Sequence, residues 1–171
     1  MVNPIVDVLA RKVDEDLVLI EEMLRMVPEG KGEWGPDWPS ASGEAAFSVD
    51  RLAGHLVESC AGLCACFVRL HGDRLPHFEA LKVRVMAGEE APLVLIAACR
   101  GHIAEGFALT TDVDLSRLMV TYFSPQGEPF LETLLGNWKH VNHHAHQLFL
   151  YLKLLGVPVS TQHLYRFKTK G

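Results

Sequence analysis

Four histidines, His140, His143, His144 and His146, fall within seven consecutive positions in the stretch HVNHHAHQ. On a helix each residue turns by about 100°, so His140 and His144 project about 40° apart, one turn from each other. Two imidazoles so placed can grip one cation, as HExxH helices do. The Glu of such helices is absent, because Val141 follows His140. A metalloprotease mechanism therefore fails at its first step.

A catalytic zinc centre takes three protein ligands and keeps a fourth position for water, so a third ligand must come from another element. His55, in RLAGHLVES, is the leading choice. It shares a helix face with Leu52, Leu56, Ser59 and Leu63, and a polar ring on an apolar stripe needs a partner. His102 is its rival. His71, His77 and His163 lie near expected helix ends or outside helices and are expected in solvent. His143 and His146 are expected at the surface or behind the ligands.

Around these, Glu58 lies one turn from His55 and is either a base or hydrogen-bond partner, or an ordinary surface acid. Asn142 and Gln147 are placed to orient ligands through hydrogen bonds. Tyr151 either lines the pocket or is a core aromatic. Imidazole ligands suit zinc, nickel, copper or iron, and zinc is expected by availability. An ion held by neutral imidazoles keeps its full charge, which favours deprotonation of a bound water or thiol. Hydrolysis and thiol transfer are both open on this ground. So are a non-catalytic, stabilising ion and a polar histidine network with no ion. Haem is disfavoured, because histidines clustered on one helix suit a small ion better.

The elements that must position these residues read as helices. Asn3 and Pro4 open the first, which carries Ile5, Val8, Leu9, Val13, Leu17, Ile20 and Leu24 on one side and ends near Met26. A long connection over 28–47 follows, rich in Gly and Pro and holding Trp34 and Trp38. Those two rings are expected to plug the end of the fold rather than lid the site. Ser48 caps a second helix over 49–71, ended by Gly72. A shorter helix over 76–86 stops at Gly88, and Pro92 opens another over 92–109. Residues 118–123 have strand-like composition before the turn Ser124-Pro125-Gln126-Gly127, so a short hairpin is expected. Pro129 starts the last long helix, filled by Phe130, Leu131, Leu134, Leu135, Trp138, Val141, Leu148, Tyr151, Leu152 and Leu155, and Gly156 stops it. Four long helices with one extended crossover make an all-α four-helix bundle the expected fold class.

Composition bounds the remaining choices. The chain has 171 residues, enough for one domain over 1–171 with a sizeable core. A net charge of -5 and no basic run argue against a nucleic-acid backbone as partner. No signal peptide is read at the N-terminus and no membrane span is expected, so a cytoplasmic location follows. Cys60, Cys64, Cys66 and Cys99 form no CxxC pair and are expected as buried reduced thiols.

The stretch HVNHHAHQLFLYLKLLG (residues 140–156) resembles the C-terminal signature of the DinB-like family, HxxHHRGQ followed by an apolar YLRLLG-like tail. RLAGHLVES resembles that family's first-ligand segment, and the likeness runs over about 49–158. It implies an up-down-down-up four-helix bundle with a divalent ion held by His55, His140 and His144, zinc or else nickel or iron(II). It also implies a homodimer, and for some members transfer of a low-molecular-weight thiol or metal-dependent hydrolysis. Other members have no assigned activity, so a non-catalytic or stress-associated role is the alternative. The sequence departs from the signature at Ala145 and His146, where Arg and Gly are common.

Overall fold

The computed structural model describes residues 3–38, 46–122 and 124–165. Five helices dominate: α1 (Pro4–Arg25), α2 (Val49–His71), α3 (Phe78–Ala87), α4 (Pro92–Leu109) and α5 (Phe130–Leu154). Pairing of α1 with α4, α4 with α2, α2 with α5 and α5 with α1 closes a ring, and α3 packs beside α2 and α4. Leu52, Leu56, Leu63 and Phe67 of α2 are fully buried at its centre, with Ile96 of α4 and Leu134, Leu148 and Leu152 of α5.

The helix ends follow their local chemistry. Ser48 Oγ accepts from the Arg51 N–H at 3.3 Å, closing the start of α2. Gly72 and Gly88 end α2 and α3 with positive φ, conformations that favour glycine. At α1 the cap differs from expectation: Asn3 makes no side-chain cap bond. The Asp112 carboxylate, from the distant loop after α4, accepts from the N–H groups of Ile5 (3.4 Å) and Val6 (3.0 Å) instead. The core face of α1 also differs, since Val6, Val13, Leu17 and Ile20 are buried while Ile5 and Val8 face solvent. In α5, Leu135 is likewise exposed.

The expected hairpin is present but minimal. Strands β1 (Leu118–Met119) and β2 (Glu128–Pro129) pair antiparallel, Leu118 with Pro129 and Met119 with Glu128. Pro129 closes β2 rather than starting α5, and without an N–H it cannot extend the ladder. Pro39 and Gly43 of the long connection, and Phe123, lie outside the described residues. Two findings concern polarity. Val49–Arg74 and Pro92–Leu109 are each long and apolar enough to cross a membrane by length and composition alone, a test that a core helix also meets, and both contribute residues to the buried core. His71 is half-buried, not exposed, with Nε2 2.9 Å from Thr110 Oγ1. The four cysteines are buried and free, as expected.

Candidate metal centre

The second turn of α2 and two successive turns of α5 meet at one point. His55 enters from α2, His140 and His144 from α5, and one ring nitrogen of each lies within 4.8 Å of the others. The ring centroids are 4.5 Å apart for His55 and His144, 4.7 Å for His140 and His144, and 5.4 Å for His55 and His140. The ring planes stand nearly perpendicular to one another, at 80–90°. Around a zinc ion with bonds of about 2.0–2.1 Å, tetrahedral ligand nitrogens would sit about 3.3 Å apart, a small closing motion from this arrangement. The donor set is three imidazoles with no carboxylate or thiol, which suits a borderline ion such as zinc or nickel. The three residues fit a divalent cation.

The bonds behind two of these rings decide which nitrogen is free. Phe47 offers a main-chain carbonyl, which can only accept. Tyr151 Oη donates to it at 3.0 Å, so the Tyr151 oxygen receives the Gln147 amide N–H, also at 3.0 Å. That orientation turns Gln147 Oε1 towards His144 Nδ1, 3.1 Å away, where only an N–H satisfies it. His144 is therefore held as the Nδ1–H tautomer, with its Nε2 lone pair available to the cluster. His55 is held similarly, its Nδ1 3.1 Å from Glu58 Oε2. Metal-ligating histidines are usually tied in this way through their other nitrogen.

Burial lowers the pKa of His140, and the nearby His55 and His143 add to the effect. Burial is also the main cause for His144, partly opposed by its bond to Gln147. Both effects favour the neutral imidazole, the form that binds metal. The chain from His144 ends in the long connection. The Phe47 ring stacks towards His144 at 6.4 Å and stands edge-on to His55 at 5.5 Å, with Arg51 over its outer face at 4.7 Å. Trp34 and Trp38 set their rings edge-on to the fully buried Tyr151, at 5.6 and 6.0 Å. The two tryptophans thus pack onto the support of the cluster rather than over its mouth.

The remaining sequence candidates separate cleanly. His102 points elsewhere, near the Phe78 ring, with a buried Nδ1 that has no hydrogen-bond partner among the described residues. His143 is exposed, and His146 Nδ1 is 2.7 Å from the carbonyl of Asn142 one turn back. His77 is exposed and His163 half-buried, its ring facing Ser160. Asn142 does not orient a ligand: it donates to Asp16 of α1 at 3.0 Å, beside the Trp138 indole N–H at 2.8 Å. Phe47 carried no sequence signal, because a lone Phe after a Gly-rich loop has no periodicity to reveal what it touches.

A cleft of about 610 Å³ opens beside the cluster between α2, α5 and the hairpin, with His55 and His140 in its lining. The arrangement presents three imidazoles at one end of a space large enough for a small molecule. Compared with protein-family models and with curated proteins, the chain matches none.

Proposed function

We propose that the protein is a divalent-metal-dependent enzyme of the thiol-transferase or hydrolase type, with His55, His140 and His144 as the ligands. The observation that carries this reading is the convergence of three imidazole nitrogens within 4.8 Å, on two helices, at the mouth of a cleft. An ion bound there would act as a Lewis acid, polarising a carbonyl or acidifying a water or thiol in its open position. The chain's own residues supply the rest. Glu58 and Gln147 fix the ligand tautomers, and Phe47 shields one side of the cluster from water.

The likeness of HVNHHAHQ and RLAGHLVES to the DinB-like family supports the same reading, as does the closed ring of α1, α4, α2 and α5, which we take as that family's up-down-down-up bundle. Zinc is the ion we expect, with nickel or iron(II) as the rivals. A second reading, an ion that only stabilises the protein, is favoured by its ligands lying on two helices, which a metal would cross-link.

Calorimetric titration of chelator-treated protein with zinc tests the proposal. One ion per chain is expected, with micromolar or tighter affinity lost in His55→Ala. No saturable binding, or binding unchanged in His55→Ala, would overturn it. Full occupancy with no exchangeable water on a bound cobalt(II) probe would favour the stabilising role over the enzymatic one.

A further inference from the structure

The cleft beyond the histidines has its own chemistry. Its α2 wall is formed by His55, Ser59, Gly62, Cys66 and Arg69, spaced i, i+4, i+7, i+11 and i+14 along one helix face. At 1.5 Å per residue the stretch from His55 to Arg69 measures about 21 Å. The opposite wall comes from α5, running antiparallel: His140 faces His55, and Asn137 faces Gly62, where an added Cβ would lie 3.4 Å from Asn137 Oδ1. The space is therefore a long trough, with the histidines at one end and Arg69 and the hairpin at the other.

The polar groups along the trough are largely satisfied by the protein itself. Ser59 Oγ donates to the His55 carbonyl at 2.7 Å, and Asn137 Nδ2 to the Thr133 carbonyl at 2.9 Å. Thr133 Oγ1 donates to Glu128 Oε1 at 2.8 Å, and Cys66 Sγ to the Gly62 carbonyl at 3.3 Å. Gly62, Ala65 and Gly136 add bare backbone and a methyl group. Such walls offer a ligand's middle little to bond to, so they suit an apolar body. Arg69 differs. Its Nη1 donates to the Val120 carbonyl at 2.6 Å, which holds the guanidinium over the hairpin, and no carboxylate pairs with it among the described residues. A guanidinium has five N–H donors, so most remain for a ligand, in a fork that matches a carboxylate.

We propose that the trough receives an extended small molecule with an apolar body and a terminal carboxylate, the carboxylate on Arg69 and the opposite end at the histidine cluster. The reading of the cluster as a metal centre is needed for what happens at that opposite end, and not for capture by Arg69. Three acids in the lining, Glu58 beside His55 and Glu128 and Glu132 farther along, define the opposing case: a ligand ending in an ammonium group would prefer them.

Chelator-treated full-length protein, titrated with octanoate, octanol and octylamine by amide-shift NMR, separates these cases. Octanoate is expected to bind about tenfold tighter than octanol, the usual effect of one charge-assisted hydrogen-bonded contact. Arg69→Gln should erase that advantage, and Arg69→Lys should retain part of it. Gly136→Leu, whose side chain would project where a Cβ meets no atom within 4 Å, should block all three probes yet leave zinc stoichiometry unchanged. Octylamine binding as tightly as octanoate, or octanoate binding unchanged in Arg69→Gln, would overturn the proposal. Octanoate binding intact in a wild-type chain that takes no zinc would contradict the metal centre alone. Zinc binding intact without octanoate binding would contradict the trough alone.

Discussion

Four histidines crowd one stretch of α5, and the turn of the helix decides which of them count. His140 and His144 fall on the side that meets α2, while His143 stands in solvent and His146 turns back onto its own helix. What holds His144 in place is less visible: a hydrogen-bonded chain of Gln147, Tyr151 and the Phe47 carbonyl that ends in a group able only to accept. Tyr151→Phe removes one link and lets Gln147 turn. Zinc affinity should fall by about tenfold to a hundredfold, while the metal-free protein loses only about 1 kcal/mol. Zinc titration and denaturant unfolding measure the two, and unchanged zinc affinity would mean the chain does not position His144. Protonation gives a second test. Burial is the largest cause lowering the pKa of His71, His140 and His144 from the ordinary 6.5. Below that value the unfolded chain takes up protons that the folded chain resists. The stability of metal-free protein, full above pH 6.5, should thus fall as pH drops through that value and below it. The lowered carboxylates Glu15, Glu90 and Asp114 act only in a more acid window, below their ordinary 4.5 and 3.8. Denaturant unfolding at pH 7.5 and 5.5 checks the sign, and equal or greater stability at pH 5.5 would contradict it.

Helix by helix, the sequence was most informative where local chemistry sets the boundary. Ser48 before α2, Pro92 at the start of α4 and glycines after α2, α3 and α5 carry their meaning within a few residues. It was least informative where a distant group intervenes. Asp112, more than a hundred residues away in the chain, does the capping that Asn3 was expected to do, and Thr110 draws in His71. The same division holds at the site: helical spacing put His140 and His144 on one face and His55 on an apolar stripe, residues that the fold brings together, whereas Asn142 was claimed by Asp16 of α1, which no spacing foretells. Close packing of elements gives a prediction of its own. Gly106 of α4 lies so near α2 that an added Cβ would overlap the Phe67 ring, itself packed against Phe107 and Phe130. Gly106→Ala gains about 1 kcal/mol of helix propensity yet should be net destabilising, because overpacking costs about 1–3 kcal/mol. Thermal unfolding should show a lowered Tm, and a raised one would mean that α2 and α4 separate easily.

At the scale of the whole molecule, α4 presents an outer face of the exposed Val94, Ala97, Gly101 and Ala104, with the exposed Glu105 beside them, on a chain of net charge -5. If the protein pairs with a second copy through that face, Gly101→Arg should give a monomer by sedimentation velocity. A Cβ there meets nothing within 4 Å, so the monomer's own fold is spared; a variant that remains dimeric would exclude the face. The larger claim is that one ion joins α2 to α5 at the end of the long trough. It makes sense of three convergent imidazoles, two of them tied from behind, and of the packing of Phe47, Trp34 and Trp38 around that support. The most direct measurement is an anomalous-scattering map from crystals of zinc-loaded protein, collected on both sides of the zinc absorption edge. The account predicts a single strong peak bonded to His55, His140 and His144, absent in His144→Ala and kept in His143→Ala. A peak on other residues, or none beside those three histidines, would contradict it.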